Sequence, residues 1–123
     1  MYDVVALGEL LIDFTTQSSD PDGYPTMAAH PGGAPANFLA AIAKFGGKAA
    51  LLGKVGTDTF GKLLTDTLCK AGIETKGLVA SDEVFTTLAF VTLDENGDRK
   101  FAFARKPGAD TQLRFDELNL SII

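Results

Sequence analysis

Asp13, the pair Gly32-Gly33 with Asn37 behind it, and the run holding Phe90, Phe103 and Arg105 are the residues whose types and spacing suit recognition of a small polar ligand. Asp13 follows the apolar run Val4 to Leu7 and Gly8. Open α/β sheets bind ligands just beyond the carboxyl ends of their strands, so a carboxylate there could accept hydroxyl hydrogen bonds. Taken alone, Asp13 reads more simply as an exposed loop carboxylate. In Gly32-Gly33-Ala34-Pro35-Ala36-Asn37 two glycines let a ligand approach the backbone closely. A helix beginning at Pro35 would present free N–H groups, with the Asn37 amide on its first turn. A loop leading into a Pro-initiated helix accounts for the same stretch without any ligand.

The third group sits on a predicted hairpin. Thr86 to Leu93 and Lys100 to Arg105 are β-prone runs flanking Asp94-Glu95-Asn96-Gly97-Asp98. Asn-Gly between two such runs predicts a two-residue type I′ turn. Under that turn Leu88 faces Arg105, Phe90 faces Phe103 and Thr92 faces Phe101, all on one side. Such a face either packs on a core or partner, or covers a polar ligand, with rings excluding water and Arg105 binding oxygens bidentately. A slip of one residue would keep Phe101, Phe103 and Arg105 together and send their partners to the opposite face.

Two other features are weaker. Gly56-Thr57-Asp58-Thr59-Phe60-Gly61-Lys62 has the spacing of a phosphate-cradling loop, but Leu63 stands where a Mg²⁺-binding hydroxyl is required and Asp58 puts negative charge into the cradle. It reads as a strand–turn–helix connection. No GxGxxG follows the first strand, which disfavours a dinucleotide fold. The lone His30 lies in a predicted loop, and the single Cys69 sits in an apolar helical run where a buried, inert thiol is expected.

The elements that must position these residues alternate. Val4 to Leu7 reads as a buried parallel strand, and residues 17 to 30 as a polar loop. Ala36 to Phe45 reads as a helix ended by Gly46-Gly47, and Ala49 to Leu52 with Val55 as a second strand. Thr59 to Ala71 reads as a helix capped by Asp58, and Leu78-Val79 as a short strand. The β–α–β–α order predicts an α/β fold with a parallel sheet, interrupted by the antiparallel hairpin. Arg114 to Leu120 should begin a further helical turn, and Ile122-Ile123 a strand.

Composition sets the outer limits. The chain has 123 residues, 46% hydrophobic, with a net charge of −5. An acidic chain without a basic run is a poor partner for nucleic acid. No apolar run reaches the ~20 residues of a membrane span, and the N-terminus lacks a signal-peptide pattern. A cytoplasmic protein is the expectation.

Taken together, Gly8-Glu9-Leu10-Leu11-Ile12-Asp13, Gly32-Gly33-Ala34-Pro35-Ala36-Asn37, Gly46 and Gly56 resemble the N-terminal signature of the ribokinase-like (PfkB) carbohydrate kinases, and residues 87 to 110 resemble that family's lid. The resemblance runs along the whole chain. Leu39 departs from it, since a small residue is usual there. It implies an α/β ribokinase-like parallel sheet flanked by helices, of which residues 1 to 123 are the N-terminal part, with an antiparallel β-lid from about 14–30 and 84–106.

It also implies an ATP-dependent kinase that moves the γ-phosphoryl to a primary hydroxyl of a sugar. Asp13, Gly32, Gly33 and Asn37 would form the polar wall, with Phe90, Phe103 and Arg105 as the cover. Ala34-Pro35 is similar to the fructokinases of the family, which puts fructose before ribose, a nucleoside or 2-keto-3-deoxygluconate. The implied cofactors are ATP and Mg²⁺, with a monovalent cation such as K⁺ as a further one, and the implied partner is a second copy bound through the lid. The family's catalytic Asp lies in a late Gly-Ala-Gly-Asp motif that this chain does not contain, so base, anion hole and adenine site are expected beyond Ile123 and the chain alone should be inactive. A non-catalytic sugar-binding or dimerising module is the competing reading from another class.

Overall fold

The computed structural model describes residues 1–123. Two four-stranded sheets organise the chain. The first strand, β1 (Val4–Leu7), gives way at once to a long excursion, β2 (Leu11–Ser19) and β3 (Pro25–Gly32), before helix α1 (Ala34–Lys44). The chain returns as β4 (Ala49–Gly56), helix α2 (Thr59–Lys70), β5 (Ile73–Glu74) and β6 (Leu78–Ser81). It then makes the hairpin β7 (Leu88–Leu93) and β8 (Arg99–Ala104), and ends in three short 3-10 turns at Ala109–Thr111, Phe115–Glu117 and Leu120–Ile122.

β4 is the spine of the body. It pairs in parallel with β1 on one side and with β5 and then β6 on the other. All eight of its residues are buried, as expected of a parallel strand covered on both faces. Ala49, Leu51 and Val55 point into the main core with Leu39 of α1 and Leu64 and Leu68 of α2. Ala50 and Leu52 point the other way, against Ile122 and Leu118. Both helices therefore cover one face of the sheet, and the C-terminal turns cover the other. Leu39, the departure from the family pattern, is fully buried in the main core and packs the helix rather than any ligand.

Helix α2 starts as expected. The Asp58 carboxylate accepts the N–H groups of Phe60 and Gly61, both at 3.0 Å, and that of Thr86 at 2.8 Å. Burial works against the Asp58 charge, but these N–H bonds outweigh it and hold the carboxyl below its usual range. Cys69, expected buried, is exposed instead: it lies beyond the helix face that buries Leu64 and Leu68.

The second sheet has the order β3-β2-β7-β8. Its outer pairs are antiparallel and its central pair, β2 with β7, is parallel. It draws on residues 11–32 and 88–104, where a lid from about 14–30 and 84–106 was expected. The predicted loop at 17–30 is largely strand, turning at Asp20-Pro21-Asp22-Gly23, where Gly23 has φ +85°. Its polar composition reflects exposure on an edge hairpin, not absence of structure. The end of the chain at Ile122 is a 3-10 turn, not the start of a strand.

The hairpin register is one residue off the expected one. Leu88 pairs with Ala104, Ala89 with Phe103, Phe90 with Ala102 and Val91 with Phe101. The turn is a three-residue loop. Gly97 alone has positive φ, +80°, its N–H donates to Asp94 O, and Asp94 N–H closes the loop on Asp98 O. A type I′ turn needs positive φ at Asn96 as well. The Asp94 carboxylate removes that need by accepting the N–H groups of Asn96 and Asp98, both at 2.9 Å.

The C-terminal turns are tied down by one buried cation. Lys54 of β4, 4% exposed, donates to both oxygens of Glu117, at 2.6 and 2.9 Å, and to the carbonyl of Gln112. The hydrogen bond from Lys54, helped by the Arg114 N–H, holds the Glu117 carboxyl below its usual value. A carboxyl depressed by folding stabilises the fold above its unfolded pKa and loses that contribution as the pH falls through the folded one. Glu117→Gln should lower the melting temperature by several degrees at pH 7, and the difference from the parent should shrink as the pH falls below the ordinary carboxylate range, as thermal melts followed by circular dichroism would report.

Candidate functional site

The register of the second sheet arranges its side chains in transverse rows. His30, Asp13, Ala89 and Phe103 form one row across β3, β2, β7 and β8, and Ala28, Thr15, Val91 and Phe101 form the next. Directly paired residues share a face, so Asp13, His30, Phe101 and Phe103 lie on the same side. Phe101 and Phe103 stack on one another, with centroids 6.3 Å apart and planes 12° from parallel. They are 57% and 49% exposed, a high value for rings in a sheet. An open trough of about 450 Å³ runs along this face, lined by Asp13, Thr15, Val91 and Phe101, with Arg99 at its far end.

Phe90 does not belong to this face. The expected pairing with Phe103 is replaced by pairing with Ala102, which turns Phe90 to the opposite side. There it stacks on Phe14, with centroids 5.3 Å apart and planes 10° from parallel, and Phe14 meets Phe60 of α2 edge-on at 5.4 Å. Phe90 is thus part of the seam that fastens the second sheet to the body. The cause is the extra turn residue, which reverses the parity of β7 relative to β8.

Asp13 is a strand residue of β2, half-buried, and not the loop carboxylate that the sequence suggested. No salt bridge uses it. Its carboxylate lies over the backbone of Gly32. A Cβ at Gly32 would collide with the Asp13 Oδ2 and sit 2.9 Å from its Cγ. Gly33 has φ +110°, and a Cβ there would lie 2.6 Å from the Glu9 carbonyl oxygen. The two glycines are therefore required by the close approach of the Gly8–Asp13 segment, whatever else they do. Asn37 is exposed on the first turn of α1. It borders a small cleft of about 60 Å³ between α1, α2 and Gly32, not the trough that holds Asp13.

Arg105, just past β8, is held more firmly than a free ligand-binding guanidinium would be. Its Nη2 donates to Glu9 Oε2 and to Asp110 Oδ2, both at 2.8 Å, and its guanidinium carbon lies 5.1 Å from the centre of the Phe103 ring. Asp110 also accepts the Thr87 hydroxyl. Burial opposes the charge on Arg105, yet the hydrogen bonds to Glu9 and Asp110 prevail and raise its pKa above the usual value. The Nε–H of Arg105 is buried and without a partner.

Sequence reasoning passed over Glu9, Asp110 and His30. His30 was set aside as a loop residue, and only the strand register shows it opposite Asp13. Glu9 lies 96 residues from Arg105, a separation no local pattern connects, whereas Asp110 is five residues away and had no distinguishing signal of its own. Arg105→Ala would strip Asp110, whose side chain is only 2% exposed, of its cationic partner. The expected cost is about 2 kcal/mol of stability, discounted from a fully buried pair because Arg105 is 27% exposed. Chemical denaturation should show it as a lower midpoint with an unchanged slope.

The loop at Gly56–Lys62 does not fit a nucleotide phosphate. The Phe60 and Gly61 N–H groups that would cradle one already bind the Asp58 carboxylate, and the Gly56 N–H binds the Thr86 hydroxyl. The loop therefore leaves no N–H groups for the phosphates of ATP, and no group of three or more His, Cys, Asp or Glu side chains is placed to hold a metal ion.

The sequence matches the pfkB family of carbohydrate kinases over residues 1–122, and the chain belongs to that family. It is 45% identical over 98% of its length to a protein named probable fructokinase-3 from Arabidopsis thaliana, of which it covers 35%, and 45% identical to fructokinase-2 from Oryza sativa subsp. japonica, of which it covers 36%. Among solved structures it superposes on the fructokinase from Xylella fastidiosa with a TM-score of 0.91 at 38% identity, covering 97% of this chain and 37% of that one. A structure of that Xylella fastidiosa enzyme with bound ATP gives a TM-score of 0.87. The chain thus spans a little over a third of the length of the relatives it matches. The partial α/β fold with its second sheet is that of ribokinase-like kinases. No helix is long and apolar enough to cross a membrane.

Proposed function

We propose that this chain forms the sugar-binding part and lid of an ATP-dependent sugar kinase, with fructose as the sugar. The observation that carries the reading is the unpaired Asp13 carboxylate, held over Gly32 in one row with His30 and Phe103. A carboxylate without a cation offers acceptors to neighbouring hydroxyls of a ring sugar. Gly32-Gly33 let the sugar approach the backbone, and Phe101 and Phe103 lie on the same face, where rings exclude water from polar contacts. Asn37, on the first turn of α1, offers a further donor and acceptor on the other side of Gly32. The resemblance to fructokinases at Ala34-Pro35, together with the relatives' names, supports fructose.

In the complete kinase, ATP with Mg²⁺ supplies the γ-phosphoryl, and a monovalent cation is a further requirement to be tested. There the γ-phosphoryl would pass to the sugar's primary hydroxyl as its bond to ADP breaks, with the hydroxyl proton going to the Asp of the family's late Gly-Ala-Gly-Asp motif, which is not among the residues of this chain. The residues of this chain bind and orient the sugar and exclude water. The exposed Leu93, Phe101 and Phe103 also suit burial against a second copy, so a homodimer through the lid accompanies the reading. A protein carrying this segment at full family length should phosphorylate fructose with ATP and Mg²⁺ in a coupled assay. Turnover of ribose, 2-keto-3-deoxygluconate or a nucleoside with none of fructose would refute the choice of sugar, and no turnover of any would refute the kinase.

A further inference from the structure

We propose that Asp110 and Glu9 are positioning residues that neutralise Arg105 and so set the site against carboxylated sugars and toward neutral ones. The proposal rests on the sugar-binding reading above and deepens it. An arginine beside a sugar site invites a sugar acid, because a guanidinium matches a carboxylate in charge and fork geometry. Here part of that capacity is already taken, and its charge is countered. Arg105 Nη2 is shared between Asp110 and Glu9 at 2.8 Å each. Asp110 is the stronger holder: its side chain is 2% exposed against 38% for Glu9, and charge pairs are less screened by solvent when buried. The Thr87 hydroxyl fixes its other oxygen.

The formal charges make the same point. Glu9 and Asp110 bring two negative charges against the one positive charge of Arg105, a net of −1. Asp13 and Glu9 are brought together by adjacent glycines, one carboxylate over Gly32 and the other chain segment against Gly33. The other cation of this face, Arg99, pairs with Leu93, four positions along β7 from the Ala89 of the Asp13 row, and makes no ion pair. A sugar acid approaching Arg105 meets two carboxylates already paired with it and competes with the buried Asp110 for Nη2. A neutral ketose meets no such opposition.

The test uses the protein at full family length and compares kcat/KM for 2-keto-3-deoxygluconate with that for fructose. Asp110→Asn keeps the shape and the acceptor for Thr87 but removes the charge. It should raise the ratio at least tenfold, mainly through a lower KM for the sugar acid. Glu9→Gln should raise it by less. A ratio unchanged within twofold in both variants overturns the proposal and leaves the kinase reading intact. If Asp110→Asn does not fold, the wild type still decides. Raising the salt from 0.05 to 0.5 M, which shortens the Debye length from roughly 14 to 4 Å, should raise the ratio, and a flat or falling ratio overturns the proposal. If fructose is not a substrate, the neutral sugar that is turned over takes its place in the ratio. A wild type that prefers the sugar acid to every neutral sugar overturns the proposal outright.

Discussion

Asp13→Asn should raise the KM for the sugar by about tenfold to a hundredfold in the full-length kinase, with a smaller change in kcat. The estimate is the worth of a hydrogen bond to a charged acceptor, about 1.5–3 kcal/mol. The substitution is close to isosteric, so the geometry over Gly32 survives. What changes is the chemistry of one atom. A carboxylate only accepts, whereas the amide nitrogen of Asn donates and would face a hydroxyl whose proton is pointed at it. Sugar binding is lost in ground and transition states alike, which places the effect in KM. Because no cation is paired with Asp13, removing its charge breaks no ion pair. The melting temperature should hold within a degree or two. An unchanged KM would remove Asp13 from the site.

The sequence disclosed the site's parts more readily than their relations. Asp13, the glycine pair and the aromatic–arginine run are legible because each has a local signature. The body is legible for the same reason: β4 as an apolar run, α2 from its Asp58 cap, and α1 from Pro35 and the closing glycines. The lid was harder. β2 and β3 are polar strands on an exposed hairpin, so the alternation that betrays a half-buried strand is faint. One side-chain hydrogen bond set decided the fate of Phe90. The Asp94 carboxylate caps the hairpin loop, shifts the register by one, and turns Phe90 to the seam with Phe14 and Phe60. The Glu9–Arg105–Asp110 cluster was out of reach altogether, since it joins the start of the chain to its last quarter.

Gly32→Ala should damage the candidate site with a single methyl group. The backbone of Gly32 lies outside the positive-φ region, so alanine is locally permitted there. The obstacle is tertiary: the new Cβ would collide with the Asp13 carboxylate and press on Leu11 at 3.3 Å. Relief requires Asp13 to rotate out of its row or β3 to move off β2. The first loses sugar affinity and the second costs stability, with overpacking of this kind worth about 1–3 kcal/mol. Sugar kcat/KM should fall at least a hundredfold, and the unfolding midpoint should drop.

A double-mutant cycle separates this cause from a general intolerance of alanine. In an Asp13→Ala background the carboxylate is gone, and Gly32→Ala should then cost much less in stability, with only the Leu11 contact left. The coupling between the two changes, read from equilibrium unfolding, should be most of the cost of the single mutant. Additive effects would mean that Asp13 and Gly32 do not touch, and the site as drawn here would lose the contact that positions its acceptor.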